Sequence, residues 1–142
     1  MSDDTFRPFI DAFLDAWNRS SLMELAYFIS KEYQAREVTG GEIADFGYEE
    51  SIEGWKQGFH FVKVNDAKWD LNEMSIIPLR EDETMAILSA TIHIQGKSME
   101  TANIFFNTFK KNKHSEWKLV RSYIEAGVSI EKLKDQYEQQ VE

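Results

Sequence analysis

The apolar spacing of this chain changes once, near Lys68, from the 3.6-residue period of helices to the two-residue period of strands. A chain patterned this way must gather its helices against an antiparallel sheet, the α+β arrangement. Phe6, Phe9, Ile10, Phe13, Leu14 and Trp17 fall at i, i+3, i+4, i+7, i+8 and i+11, which is one face of a helix. Thr5 or Asp4 is its expected N-cap, and Asn18-Arg19-Ser20 ends it. Ser21-x-x-Glu24 then forms a capping-box pattern ahead of Leu22, Leu25, Ala26, Phe28 and Ile29, predicting a second short helix antiparallel to the first. Tyr33 to Val38 suits a short strand closed by the Gly40-Gly41 turn. Tyr48, Ile52, Trp55, Phe59 and Val62 return to helical spacing. Glycine costs about 1 kcal/mol relative to alanine inside a helix, so Gly54 and Gly58 are expected to face close-packed neighbours.

Four runs then suit the strands of a meander: Trp69 to Leu79, Met85 to Gln95, Glu100 to Lys110, and Glu116 to Ala126. The polar segments Arg80–Glu83, Gly96–Ser98 and Asn112–Ser115 supply the turns. A last amphipathic stretch begins at Ser129, with Ile130, Leu133, Tyr137 and Val141 on one side. No linker or internal repeat interrupts the 142 residues, so residues 1–142 read as a single domain with a core of about 6–127 and a carboxy-terminal extension over 128–142.

Composition removes several function classes. With no Cys, thiolate nucleophiles, disulfide frameworks and Cys-ligated zinc are excluded. A net charge of −9 argues against sequence-independent binding to nucleic acid or to an anionic membrane, both of which need clustered cations. His60, His93 and His114 lie in a helix, a strand and a turn without metal-ligand spacing, and no glycine-rich phosphate loop occurs, so no metal or cofactor is expected. The start Met1-Ser2-Asp3-Asp4 is acidic where a secretory signal would be basic, and no apolar run approaches a membrane span, so a cytoplasmic location is expected.

Alternation places side chains in rows if each turn pairs the strands that flank it. The odd-numbered rows are Met85/Phe109/Trp117, Ile87/Asn107/Leu119, Ser89/Phe105/Arg121, Thr91/Asn103/Tyr123 and His93/Thr101/Glu125. They grade from apolar to polar, as the wall of a pocket with a few convergent polar groups would. Its ligand-facing residues are then Trp17, Trp55, Phe59, Thr91, Asn103, Phe105, Asn107, Arg121 and Tyr123. Glu125 or His93 could act there as a general acid or base, while an Arg121–Glu125 pair that satisfies itself is the competing structural outcome. The even-numbered face, Leu88, Ala90, Ile92, Ile104, Phe106, Val120 and Ile124, is too apolar to leave in water and suits a sheet-to-sheet homodimer.

The order helix, helix, short strand, helix and long meander resembles the nuclear transport factor 2-like superfamily, in particular its SnoaL-like bacterial branch. The likeness covers roughly Phe6 to Gly127. It is carried most locally by Phe13-Leu14-Asp15-Ala16-Trp17-Asn18 and by the closing strand Glu116-Trp117-Lys118-Leu119-Val120-Arg121-Ser122-Tyr123-Ile124-Glu125-Ala126-Gly127. The resemblance implies a cone-shaped roll, three amino-terminal helices packed on a curved, mainly antiparallel sheet that encloses a pocket, with dimerisation through the outer sheet face. Its members include isomerases, dehydratases, hydrolases, polyketide cyclases and association domains, so the fold chooses no activity. By position, Asn107 and Glu125 stand where related proteins carry other pocket residues. The reading is therefore a dimeric protein with a pocket for a small, largely apolar ligand. Its alternatives are an isomerase, dehydratase or hydrolase using a pocket carboxylate or histidine, and an association module.

Overall fold

The computed structural model describes residues 5–133. Helices α1 (Phe6–Asn18) and α2 (Leu22–Tyr27) precede strands β1 (Ile29–Thr39) and β2 (Glu42–Gly47). Helix α3 (Tyr48–Val64) then leads into β3 (Ala67–Arg80), β4 (Glu83–Ile94), the two-residue β5 (Lys97–Ser98), β6 (Thr101–Lys111) and β7 (Trp117–Ser129). The sheet runs β2-β1-β7-β6-β4-β3, with β5 added to β4, and every pairing is antiparallel except β1 with β7. The α+β architecture thus agrees with the change of period.

Local chemistry explains the boundaries. Pro8 sits in the first turn of α1, where its missing N–H leaves no helical bond unmade. Pro78 lies on β3, an edge strand, which tolerates the loss of a ladder donor. Gly40 and Gly41 both take positive φ, +58° and +85°, as a two-residue hairpin between β1 and β2 requires. Half of a capping box forms on α3, where the Glu50 carboxylate accepts from the Gly47 backbone N–H at 3.2 Å and the glycine has no side chain to complete it. It does not form as expected on α2: Ser21 makes no side-chain cap, and Glu24 pairs instead with Arg19 at 2.7 Å. That helix also ends early, because Ile29 already belongs to β1.

The apolar stripe of α1 packs on the inner face of the sheet. Phe109 meets Phe6, Phe9 and Phe13 at ring-centroid distances of 5.6, 5.4 and 5.3 Å. Trp17 is the centre of a second cluster, with Trp55 at 4.8 Å, Phe105 at 5.0 Å and Trp69 at 6.0 Å. Irregularities in register between Glu73 and Ser75, between Ala102 and Ile104 and between Thr108 and Phe109 bend the strands around these helices.

The same irregularities overturn the expected rows. The turn at Gly96 pairs β4 with β5, as His93 opposite Ser98, and not with β6 directly. When β6 then joins β4 it does so with Ala90 opposite Asn103, Leu88 opposite Phe105 and Ala86 opposite Asn107. This is one step from the expected register, and one step moves a whole set of side chains to the other face. Between β6 and β7 the partners are Asn107 with Ser122 and Phe105 with Ile124, where Leu119 and Arg121 were expected. Strand β2 was not anticipated at all. The helical residues at Ile130 to Leu133 begin the expected amphipathic stretch, and the rest of it lies outside the described residues.

Candidate ligand-binding cavity

A cavity of about 490 Å³ lies between the helices and the inner face of the sheet. Helix α1 contributes Trp17 to its wall, and one face of α3 contributes Ser51, Gly54, Trp55 and Gly58, at i, i+3, i+4 and i+7. The strands contribute Tyr33 and Glu37 from β1, Phe46 from β2, Trp69 from β3, Ala90 to Ile92 from β4, Asn103, Phe105 and Asn107 from β6, and Leu119, Ser122 and Ile124 from β7. The volume falls within the range of small-molecule sites, and so does an aromatic wall with few polar groups.

Gly54 and Gly58 differ from what their helix positions suggested. A Cβ at Gly58 would make ordinary contact with Trp69 at 3.9 Å, whereas one at Gly54 would meet nothing within 4 Å. Gly54 therefore keeps the space beside the cavity open, at the cost of helix propensity.

Four polar residues of the wall, Tyr33, Ser51, Asn107 and Ser122, gather at one place. The Ser122 hydroxyl donates to Asn107 Oδ1 at 2.6 Å, and both side chains are buried. The Ser51 and Ser122 hydroxyls also neighbour the Tyr33 phenol. Burial pushes that phenol up to about 12, partly opposed by the two serines, so Tyr33 stays a neutral group at any physiological pH. Asn107 Nδ2 and Trp17 Nε1 are buried donors with no partner among the described residues. Glu37, half-buried, and Glu50, exposed, supply the carboxylates of the wall.

Of the nine residues expected to face a ligand, six line the cavity: Trp17, Trp55, Thr91, Asn103, Phe105 and Asn107. Phe59 is buried behind the wall, packed on Trp55 and Trp69 at 5.6 and 6.1 Å. Arg121 and Tyr123 face outward, because on β7 exposure alternates with burial from Arg121 through Ile124. Arg121 approaches Glu83 at 3.5 Å, and Tyr123 donates to Glu125 at 2.7 Å, so the expected Arg121–Glu125 pair is replaced by two others. That bond to the carboxylate raises the Tyr123 phenol above its ordinary value. His93 also lies on the outer face, 3.0 Å from Asp70. Neither His93 nor Glu125 lines the cavity, and the register step accounts for both placements.

The expected aliphatic stripe divides in the same way. Ala90, Ile92 and Ile124 line the cavity and Leu88 is buried in the core. Ile104 and Phe106 remain on the outer face, Phe106 beside Tyr123 at a centroid distance of 6.1 Å, and Val120 is the β7 residue passed over by the β6–β7 register at the shift opposite Thr108/Phe109. Sequence reasoning missed Tyr33, Ser51 and Ser122. Simple alternation puts the even-numbered Ser122 on the other face, but the alternation of Tyr33, Ala35 and Glu37 along β1 carries a signal. Among the described residues, no three His, Asp or Glu side chains gather as a metal site, and no helix is long and apolar enough to cross a membrane.

No protein-family model matches the sequence, and no curated protein matches it. Solved structures do match. A domain of unknown function with a cystatin-like fold from Nostoc punctiforme aligns with a TM-score of 0.66 at 17% identity, over 96% of this chain and 90% of its own. A nuclear transport factor 2-like protein of unknown function from Shewanella oneidensis aligns with a TM-score of 0.65 at 15% identity, over 86% of this chain and 97% of its own. A ketosteroid isomerase-like protein from Erwinia carotovora atroseptica gives 0.58 at 14% identity, over 82% and 89%. At these identities the likeness is one of fold.

Proposed function

We propose that this chain, which has the nuclear transport factor 2-like fold, is a ligand-binding protein of the SnoaL-like type. It holds a small, largely apolar molecule in the inner cavity and pairs with a second copy through the outer sheet face. The observation that carries the ligand reading is the cavity itself: Trp17, Trp55, Trp69, Phe46 and Phe105 line about 490 Å³, with Tyr33, Ser51, Asn107 and Ser122 among the polar groups of the wall. Aromatic walls of this kind favour a flat apolar ligand through buried area and ring contacts.

The catalytic alternative loses support from the placement of its two candidate residues. A general acid or base must come within hydrogen-bond reach of the reacting atoms, and Glu125 and His93 lie on the opposite side of the sheet from the cavity. The dimer reading rests on a corrected set of residues. Ile87, Ile104 and Phe106 are half-buried on the outer face, and Tyr123 there is 41% exposed. This apolar strip suits a sheet-to-sheet contact.

Titration with tetralin, a bicyclic hydrocarbon, tests the ligand reading, because three tryptophans line the site and report its occupancy. Saturable change in tryptophan emission at micromolar to millimolar tetralin is expected. Emission that shows no saturable change up to the solubility limit would contradict it.

A further inference from the structure

Resting on that apolar-pocket reading, we infer that the ligand carries a neutral hydrogen-bond acceptor, such as a ketone or amide carbonyl, received by the Asn107 amide NH2. Its apolar body lies against Trp17, Trp55 and Phe105.

The argument begins with the hydrogen bonds of the buried donors. Asn107 is 1% exposed, and its Oδ1 is taken by the Ser122 hydroxyl at 2.6 Å, which leaves the Nδ2 group unpartnered among the described residues. A buried donor without an acceptor is costly and uncommon, so each case calls for an explanation. Two other indoles of this chain are partnered: Trp69 Nε1 donates to the Ser20 hydroxyl and Trp117 Nε1 to the Thr5 hydroxyl, each at 2.9 Å. The two unpartnered buried donors among the described residues, Asn107 Nδ2 and Trp17 Nε1, both belong to residues of the cavity wall. Because these two donors meet no acceptor within the described residues, an acceptor on whatever fills the space would satisfy them.

Charge narrows the class. Among the described residues, Glu37 and Glu50 line the cavity and no Lys, Arg or His does. A carboxylate ligand would face two like charges without a counter-ion, so the acceptor is a neutral oxygen. Tyr33 adds no anion of its own, since its phenol is pushed up to about 12.

The experiment compares 1-tetralone with tetralin, which share a skeleton and differ by one carbonyl, and uses 1-naphthoate as the anionic probe. Dissociation constants come from ligand-observed NMR titrations of the wild type and Asn107→Leu. The ratio of the tetralin constant to the tetralone constant should fall about fivefold in Asn107→Leu, as loss of one neutral hydrogen bond implies, while tetralin binds the variant at least as well. As a readout that needs no variant, the carbonyl stretch of wild-type-bound 1-tetralone should move to lower frequency than in hexane. If tetralin binds but the ratio is unchanged and the carbonyl stretch matches hexane, the acceptor site is overturned and the apolar pocket stands. If neither neutral probe binds, the pocket reading falls and this inference with it. Binding of 1-naphthoate as tight as that of 1-tetralone overturns the preference for a neutral ligand.

Discussion

Phe106 and Asn107 are consecutive on β6, yet the aromatic ring lies on the outer face and the amide is buried on the inner one. The tyrosines divide in the same way. Tyr33, 4% exposed, is raised by burial among serines, whereas Tyr123, 41% exposed, is raised by its hydrogen bond to Glu125. A sheet that served only to cover a core would keep its polar groups outside and its apolar groups inside. Here part of the inner face is polar and part of the outer face is apolar, which is the distribution expected when a ligand occupies one side and another protein surface covers the other.

The largest effect that tests this comparison is on the part of the inner face that is pure core. Phe109→Ala should cost about 3–5 kcal/mol in urea denaturation, because its ring is fully buried against Phe6, Phe9 and Phe13. A cost under about 1 kcal/mol would mean that α1 does not depend on this face.

The next effect concerns Tyr33. Its folded pKa of about 12 lies above the ordinary value of 10.0, so its contribution is fully present below pH 10 and is lost as pH rises toward 12. Two units correspond to roughly 2–3 kcal/mol. Tyr33→Phe should flatten that part of the stability–pH curve, measured by urea midpoints across the alkaline range. An identical alkaline slope in the variant would place the phenol in water.

On the outer face the effect should appear in assembly and hardly at all in the protomer's own fold. Phe106→Glu should halve the mass seen by light scattering at micromolar concentration, because a charge cannot be buried unpaired in an apolar contact. Unchanged mass would remove the sheet-to-sheet dimer.

The helices and the sheet were legible in the sequence because each is written in a period that spans many residues. α1 and α3 follow their apolar stripes closely, and the meander turns fall where Gly96 and Asn112–Ser115 place them. The faces were not legible, because they depend on single-residue steps. The two-residue β5 takes up the Gly96 turn, and the irregularity at Thr108/Phe109 changes the parity between β6 and β7. Those steps carried Arg121, Tyr123 and Glu125 out of the expected pocket and brought Ser122 and Ile124 in. β2 was hidden for a different reason: as an edge strand it is mostly exposed, and its Asp45 is spent on a two-point contact with Arg36. Gly54 looked like a packing glycine because sequence cannot distinguish a close neighbour from a space that must stay empty.

That space permits the most direct test of a cavity kept for a ligand. Gly54→Leu replaces a helix-interior glycine with a better helix former, worth roughly 0.5–1 kcal/mol, and extends a side chain where nothing lies within 4 Å of a Cβ. Tetralin titration of this variant, read beside its urea midpoint, should show binding lost while the fold is at least as stable as the wild type. A variant that binds tetralin with wild-type affinity, or one that loses stability because the space was already filled by the protein, would contradict the account.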